Sequence, residues 1–135
     1  MEIKKIPYES TWPIRHQVMW PDMPYDFVKL PEDEQGLHYG LFVADELVAI
    51  VSAFVTEREA QFRKFATLES QQGKGYGTTL LRYLFEELSQ QGITKIWCNA
   101  RTEKSAFYER FEMSKTEKTY VKGGVDFVIM EKKEL

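Results

Sequence analysis

Cysteine is nearly missing. Cys98 is the only one in 135 residues, so no internal disulfide can form and no cysteine-rich metal site can be assembled. Its expected place is inside a strand, and no bound metal is expected anywhere. Long apolar runs are missing too. Nothing approaches the ~18–20 apolar residues of a membrane span, and Met1 to Pro7 mix charge with apolar side chains and lack a signal-like apolar run. Charge of one sign does not dominate either. Lys and Arg number 18 against 21 Asp and Glu, a net charge of -3, which gives no electrostatic reason to expect nucleic acid or an anionic membrane as partner. A local basic pocket for a phosphorylated ligand stays compatible with that balance. Repeats, low-complexity tracts and Ser/Gly-rich linkers are absent as well. What remains, 43% hydrophobic and 29% charged, is the composition of one compact domain over residues 1–135, with a cytoplasmic setting as the simplest expectation.

Met1–Ile6 reads as a short strand ended by Pro7. Ser10 is placed to cap a helix running to about Trp20, with Pro13 in its first turn, and Pro21, Pro24 and Pro31 punctuate an irregular segment after it. From His38 the pattern becomes strand-like. Leu37–Ala44 and Leu47–Val55 flank a two-residue turn at Asp45-Glu46, and a third strand runs from about Ala60 to Glu69. Gly75–Gln91 is the clearest helix, because Tyr76, Leu80, Leu81, Leu84, Phe85 and Leu88 make one apolar stripe and Gly92 supplies the stop. Ile93–Ala100 reads as a strand, Glu103–Phe111 as a short helix, and Lys115–Val121 with Val125–Lys132 as a hairpin across Gly123-Gly124. The expected class is α+β of the three-layer α/β type. A central, mostly antiparallel sheet of about seven strands would carry helices on both faces, with one parallel crossover around Gly73–Ala100.

The chemistry concentrates in Gln71-Gln72-Gly73-Lys74-Gly75-Tyr76-Gly77-Thr78, directly after a strand and opening the best helix. Alternating glycines clear side chains from the backbone and permit positive φ. The free N–H groups of a first helical turn, with the dipole's positive end, suit phosphate oxygens, and Lys74 adds charge at the rim. Such a turn can also do no more than close a strand–helix connection. The spacing is not the dinucleotide fingerprint, since Thr78 holds its third glycine position and no acidic residue stands at Trp97–Asn99; nor is it a P-loop.

Gln72-Gly73-Lys74-Gly75-Tyr76-Gly77 resembles the Q/R-x-x-G-x-G/A signature of the GNAT superfamily of N-acetyltransferases. A second resemblance is independent: Asn99-Ala100-Arg101 followed by Ala106-Phe107-Tyr108-Glu109-Arg110 is similar to the family's strand and short helix carrying Phe-Tyr. The family's Gly-Phe pair after that helix is replaced by Glu112-Met113, and Asp126-Phe127 stand where its last strand more often has Pro-His. The likeness is good over about residues 37–135 and loose before that.

The resemblance implies the GNAT fold and acetyl-CoA as acetyl donor. Its pantetheine would lie in a gap between splayed strands, meeting Ala66, Thr67 and Leu68 on one side and Asn99 on the other. The backbone of Gln72, Gly73, Lys74, Gly75, Tyr76, Gly77 and Thr78 would take the pyrophosphate, and Tyr108 would protonate the departing thiolate. Tyr108 could instead be a core tyrosine whose hydroxyl bonds a backbone carbonyl.

No general base stands out. In a regular strand Gln61, Arg63, Phe65, Thr67 and Glu69 share one face with Lys64 and Leu68 opposite, which makes Glu69 a candidate. His16, His38 and a water chain are the alternatives. In this family the acceptor lies between the first helices and the sheet. That brings in Trp12, Arg15, His16, Trp20 and Phe27, as an aromatic slot or as ordinary packing. Arg63 and Arg101 would join Arg15 around an acceptor bearing a carboxylate or phosphate. The expected activity is acetyl transfer to a primary amine of a small molecule, by direct attack on the thioester. A non-catalytic acyl-CoA-binding or sensor module, and an acetyltransferase of protein lysines or N-termini, are the alternatives. A homodimer is compatible with the chain, and nothing in the sequence requires one.

Overall fold

A computed structural model describes all of residues 1–135. Seven strands form one sheet: β1 (Glu2–Lys5), β2 (Leu37–Val43), β3 (Glu46–Thr56), β4 (Glu59–Thr67), β5 (Lys95–Arg101), β6 (Ser114–Lys122) and β7 (Val125–Lys133), in the spatial order β1-β2-β3-β4-β5-β7-β6. Every neighbouring pair is antiparallel except β4–β5, which is parallel. Short turns can only reverse a strand, so the parallel pair needs a longer crossover. The helix α2 (Tyr76–Gln90) supplies it. Two further helical pieces are α1 (Trp12–Ile14) and α3 (Ser105–Glu109). The expected α+β architecture is the observed one.

Three local expectations change. Ser10 caps nothing: the chain enters a 3-10 turn at Tyr8, directly after Pro7, continues through α1 and finishes as π-helix over Arg15–Met19. Thr11 makes the side-chain bond there, its hydroxyl donating to the Tyr8 carbonyl at 2.7 Å. The β2–β3 turn sits one residue earlier than Asp45-Glu46, with Ala44 and Asp45 at φ of 50° and 66°. Two positive φ values let a tight hairpin match the strand twist. Alanine gives no warning of that, whereas Gly123-Gly124 does, and there the β6–β7 turn is where it was expected. The third expected strand stops at Thr67, and Glu69–Gln71 form a 3-10 turn.

The sheet's two faces differ. On one, the apolar stripe of α2 (Leu80, Leu81, Leu84, Phe85, Leu88) packs on Tyr39, Val51, Phe62, Ile96, Cys98 and Met130 within a cluster of 21 buried residues. On the other, the segment Tyr8–Met19 buries Ile14 on Ile50 and Ala66, with the partly buried Val18 and Met19 beside it. Beside them sits a buried polar group. Asp33 accepts two bonds from the Arg15 guanidinium (2.9 and 3.0 Å), one from Trp12 Nε1 (3.0 Å) and one from the Leu30 N–H (2.9 Å). Arg15 also donates to Ser52 Oγ and the Val28 carbonyl, both at 3.0 Å. His38 uses both ring nitrogens there, with Nε2 bonded to the Asp33 carbonyl at 2.8 Å and Nδ1 to Ser52 Oγ at 2.7 Å.

Candidate active site

The β4–β5 pairing lasts only from Glu59↔Lys95 to Gln61↔Trp97. Beyond it Phe62–Thr67 and Cys98–Arg101 are no longer paired to each other, so the sheet opens at its middle. The cause on the β4 side is a bulge. Ser52 pairs with Arg63 and Ile50 with Ala66, so Lys64 and Phe65 together oppose Val51. Lys64 takes φ of 56°, a left-handed conformation that costs a non-glycine residue about 1 kcal/mol.

One extra residue exchanges the faces of every later residue in the strand. Gln61, Arg63, Phe65 and Thr67 therefore do not share a face. Arg63 reaches to the helical-segment side, 2.6 Å from Glu32. Phe65 and Thr67 turn to the α2 side, where a Cβ on Gly77 would come within 3.1 Å of Phe65 Cζ and 3.5 Å of Thr67 Oγ1. Lys64, expected opposite Arg63, instead leans over the Trp20 ring, 5.9 Å from its centroid.

At one end of the opening lies the glycine turn. Gly73 and Gly75 have φ of 79° and 82°, Gly75 caps α2, and nothing stands within 4 Å of where a side chain on either would project. The first helical bond is Thr79 N–H to the Gly75 carbonyl (3.0 Å), so the N–H groups of Gly73, Lys74, Gly75, Tyr76, Gly77 and Thr78 find no acceptor in the protein. Unfilled donors at a helix N-terminus, reached through open space, fit the oxygens of a diphosphate. Lys74 stands exposed at the rim, bonded to Gln71 (3.2 Å), and Gln72 braces the turn by donating to the Thr67 carbonyl (3.0 Å). Gly77 serves packing: its missing side chain makes room for Phe65, while its N–H stays free.

From the α2 side, α3 closes under the opening. Phe107 stacks on Phe65 (6.1 Å between centroids) and Tyr108 packs on Phe62 (5.9 Å). The Tyr108 hydroxyl makes no hydrogen bond to the protein, to a backbone carbonyl or otherwise. Burial, with Cys98 nearby, holds its phenol well above the ordinary value, so it keeps its proton at every working pH. Cys98 is buried as expected, and burial pushes its thiol up to about 12.

On the opposite side β5 presents Trp97, Asn99 and Arg101, alternating with the buried Ile96, Cys98 and Ala100. Asn99 Oδ1 accepts from the Tyr120 hydroxyl at 3.0 Å, and Tyr120 stacks on Phe127 at 5.1 Å. Arg101 is exposed. Trp20 and Phe27, edge to face at 5.1 Å, expose 39% and 48% of their surfaces.

Not every expected acceptor residue reaches this mouth. Arg15 is fully buried with its donors directed at Asp33, Ser52 and Val28, and Trp12 joins the same group. Arg63 is held by Glu32. Among the base candidates, His38 is buried with both nitrogens engaged, and burial lowers its pKa. His16 is bonded to the Met23 carbonyl at 2.7 Å. Glu69 lies on the turn after β4 and makes no side-chain bond to the protein. Lys64 is the residue that sequence reasoning missed, because nothing in Phe62-Arg63-Lys64-Phe65 announces a bulge.

Residues 23–134 match the acetyltransferase (GNAT) domain family. The uncharacterized N-acetyltransferase YitI of Bacillus subtilis (strain 168) is 32% identical over 119 residues, which are 82% of this chain and 80% of that protein. Among solved structures, a candidate N-acetyltransferase from Lactobacillus plantarum superposes with a TM-score of 0.86 at 21% identity, over 100% of both chains. A Bacillus subtilis acetyltransferase in complex with CoA superposes at 0.76 and 16% identity, over 99% of each.

Proposed function

We propose that this chain, which belongs to the GNAT acetyltransferase family, uses acetyl-CoA to acetylate the primary amine of a small molecule, and that residues 1–135 act as one N-acetyltransferase domain. The observation that carries the proposal is the unfilled row of N–H groups from Gly73 to Thr78 beside an opened sheet whose floor holds the free Tyr108 hydroxyl. When bound, acetyl-CoA supplies an acetyl group activated as a thioester.

The chain's own residues bind and orient. The glycine-turn amides take the diphosphate, with Lys74 adding charge at the rim. The unpaired edges of β4 around Ala66 and Thr67, with Leu68, and of β5 at Asn99 line the pantetheine arm. The acceptor nitrogen attacks the acetyl carbon: the N–C bond forms, the C–S bond breaks and the sulfur leaves with the electron pair. Tyr108 gives that sulfur a proton, and the proton lost by the amine leaves through water, with Glu69, just past the end of β4, as the candidate carboxylate. Direct transfer is favoured because the only thiol is buried and held protonated. A free acid at the sulfur favours an enzyme over a mere acyl-CoA sensor. No helix is long and apolar enough to cross a membrane, and we place the activity in the cytoplasm.

The test joins two measurements. Acetyl-CoA at 100 times its Kd should stabilise the fold by about 2.7 kcal/mol, and a panel of small amines should release free thiol in proportion to acetylated product. A flat melting curve with millimolar acetyl-CoA would sink the reading. Acetylation confined to peptides and protein N-termini would move the acceptor class to proteins.

A further inference from the structure

Lys64 is a charged group at the opening that the chemistry above does not use, and unlike Arg101 it is partly buried. It sits at the apex of the β4 bulge, in the stretch no longer paired with β5, and points away from α2 and Tyr108 toward Trp20. The other cations of this face are either committed or more exposed. Arg15 is spent on Asp33, Arg63 on Glu32, and Arg101 stands exposed at the end of β5. Lys122 extends along the same face as Tyr120, two residues on. The Lys64 ammonium has neither a hydrogen bond nor an ion pair with the protein.

We propose that the acceptor amine carries an anionic group, a carboxylate or a phosphate, and that Lys64 holds it with the Trp20–Phe27 pair as the apolar wall beside it. The inference rests on the acetyl-transfer reading and deepens it by naming the acceptor's second functional group. A partly buried cation with no partner is an unfavourable thing to keep, and a left-handed backbone at the same residue adds to the cost. The first of these is relieved in function if the charge is completed by a ligand. Burial, reinforced by Arg63, Arg15 and Lys122 and opposed in part by Asp33, lowers the Lys64 pKa, the direction expected where the charged form is under-compensated. The same positive field opposes a polyamine or a lysine-rich peptide. Because Lys64 and Tyr108 reach the opening from opposite sides of the sheet, an amine anchored on Lys64 approaches the thioester on the side away from the proton donor.

The experiment compares matched acceptors on the wild-type enzyme: amino acids against their amides, and aminoalkyl phosphates against the corresponding amino alcohols, with a polyamine alongside. Acetyl-CoA stabilisation is measured on the same protein. The anionic member of at least one pair should have a kcat/KM about tenfold or more above its neutral partner, the range of a charge-assisted hydrogen bond. The pair that shows it tells carboxylate from phosphate. Lys64→Met should bring that ratio close to one, and Lys64→Arg should keep most of it. Equal rates within every pair, a preference for the polyamine, or a preference that survives Lys64→Met would overturn the inference while acetyl-CoA binding stands. No stabilisation by acetyl-CoA and no thiol release from any acceptor would overturn the acetyl-transfer reading, and this inference with it.

Discussion

The two faces of the sheet are built on opposite principles. Under α2 the interior is dry: leucines, Phe62, Ile96 and Met130 interlock, and the buried side chains bring few polar atoms with them. Under the Tyr8–Met19 segment three buried apolar residues share the space with a charged pair, a histidine and a serine bonded to one another, with Arg15 Nε left unpartnered. Apolar packing stabilises in proportion to area and tolerates slippage. A hydrogen-bonded network stabilises little on balance, but it demands a single geometry. The dry face therefore holds the domain together and presents the glycine turn and Tyr108, while the polar face fixes the segment that would wall the proposed acceptor side.

That contrast breaks most severely at Arg15. Arg15→Ala should cost about 3–5 kcal/mol, because it strands a buried Asp33 carboxylate. The Asp33 pKa carries the sign. Burial alone would raise it, but the bonds from Arg15, Trp12 and Leu30 outweigh burial and leave it below the usual carboxylate range. A depressed carboxylate contributes stability that is complete above its unfolded pKa of ~3.9 and lost as pH falls below that. Urea denaturation of wild type should thus weaken below about pH 4, and Arg15→Ala should lose much of this acid dependence. Identical slopes would show that the pair contributes nothing to the polar face. Next in size, Leu84→Ala under α2 should cost about 2–5 kcal/mol as a core cavity, with no pH dependence. That flat profile is the counterpart that sharpens the comparison.

The dry face was legible in the sequence and the polar face was not. Leu80, Leu81, Leu84 and Leu88 recur at helical spacing, and Gly73, Gly75, Gly92, Gly123 and Gly124 stand where φ is positive, so α2 and its two flanking turns read directly. Tyr108 and the glycine turn were legible as well, because short spacings carry them. Arg15, Asp33, Ser52 and His38 lie up to 37 residues apart along the chain, and no local pattern says that they meet. The bulge at Lys64 has no propensity signature, and a single added residue reverses the faces of Phe65 and Thr67. Strict alternation therefore failed at the candidate site itself, at a bulge with a left-handed residue.

The contrast extends to the proposed catalysis through Tyr108, the group that the dry face would contribute to the chemistry. Tyr108→Phe keeps the ring on Phe62 and leaves no unpaired protein group, since the hydroxyl bonds nothing in the protein. Folding and acetyl-CoA affinity should therefore hold, while kcat falls by about 10²-fold, as for a lost general acid. Because burial keeps the phenol protonated, the wild-type rate should show no alkaline limb from Tyr108 up to about pH 9. Turnover unchanged in the variant would take Tyr108 out of the mechanism.

The smallest effect should be a gain. If Lys64 is kept for a ligand, the free protein is less stable for having it, and Lys64→Met should raise stability by about 0.5 kcal/mol at pH 7. The methionine preserves the apolar stem over Trp20 and removes the unpartnered charge. The direction with pH comes from the lowered pKa, whose largest cause is burial. Between its folded value and the ~10.4 of an unfolded lysine, the unfolded chain binds the extra proton, so wild-type stability from this group rises with pH. The advantage of Lys64→Met should therefore be greatest near neutrality and fade as pH climbs toward ~10.4, where the lysine loses its charge in both states. Paired melting curves of the two proteins from about pH 7 to pH 10 measure the difference, and Lys64→Arg, which retains the charge, should gain nothing. A loss of stability in Lys64→Met would mean that the ammonium already has its compensation within the fold, and that the polar face is as self-sufficient as the dry one.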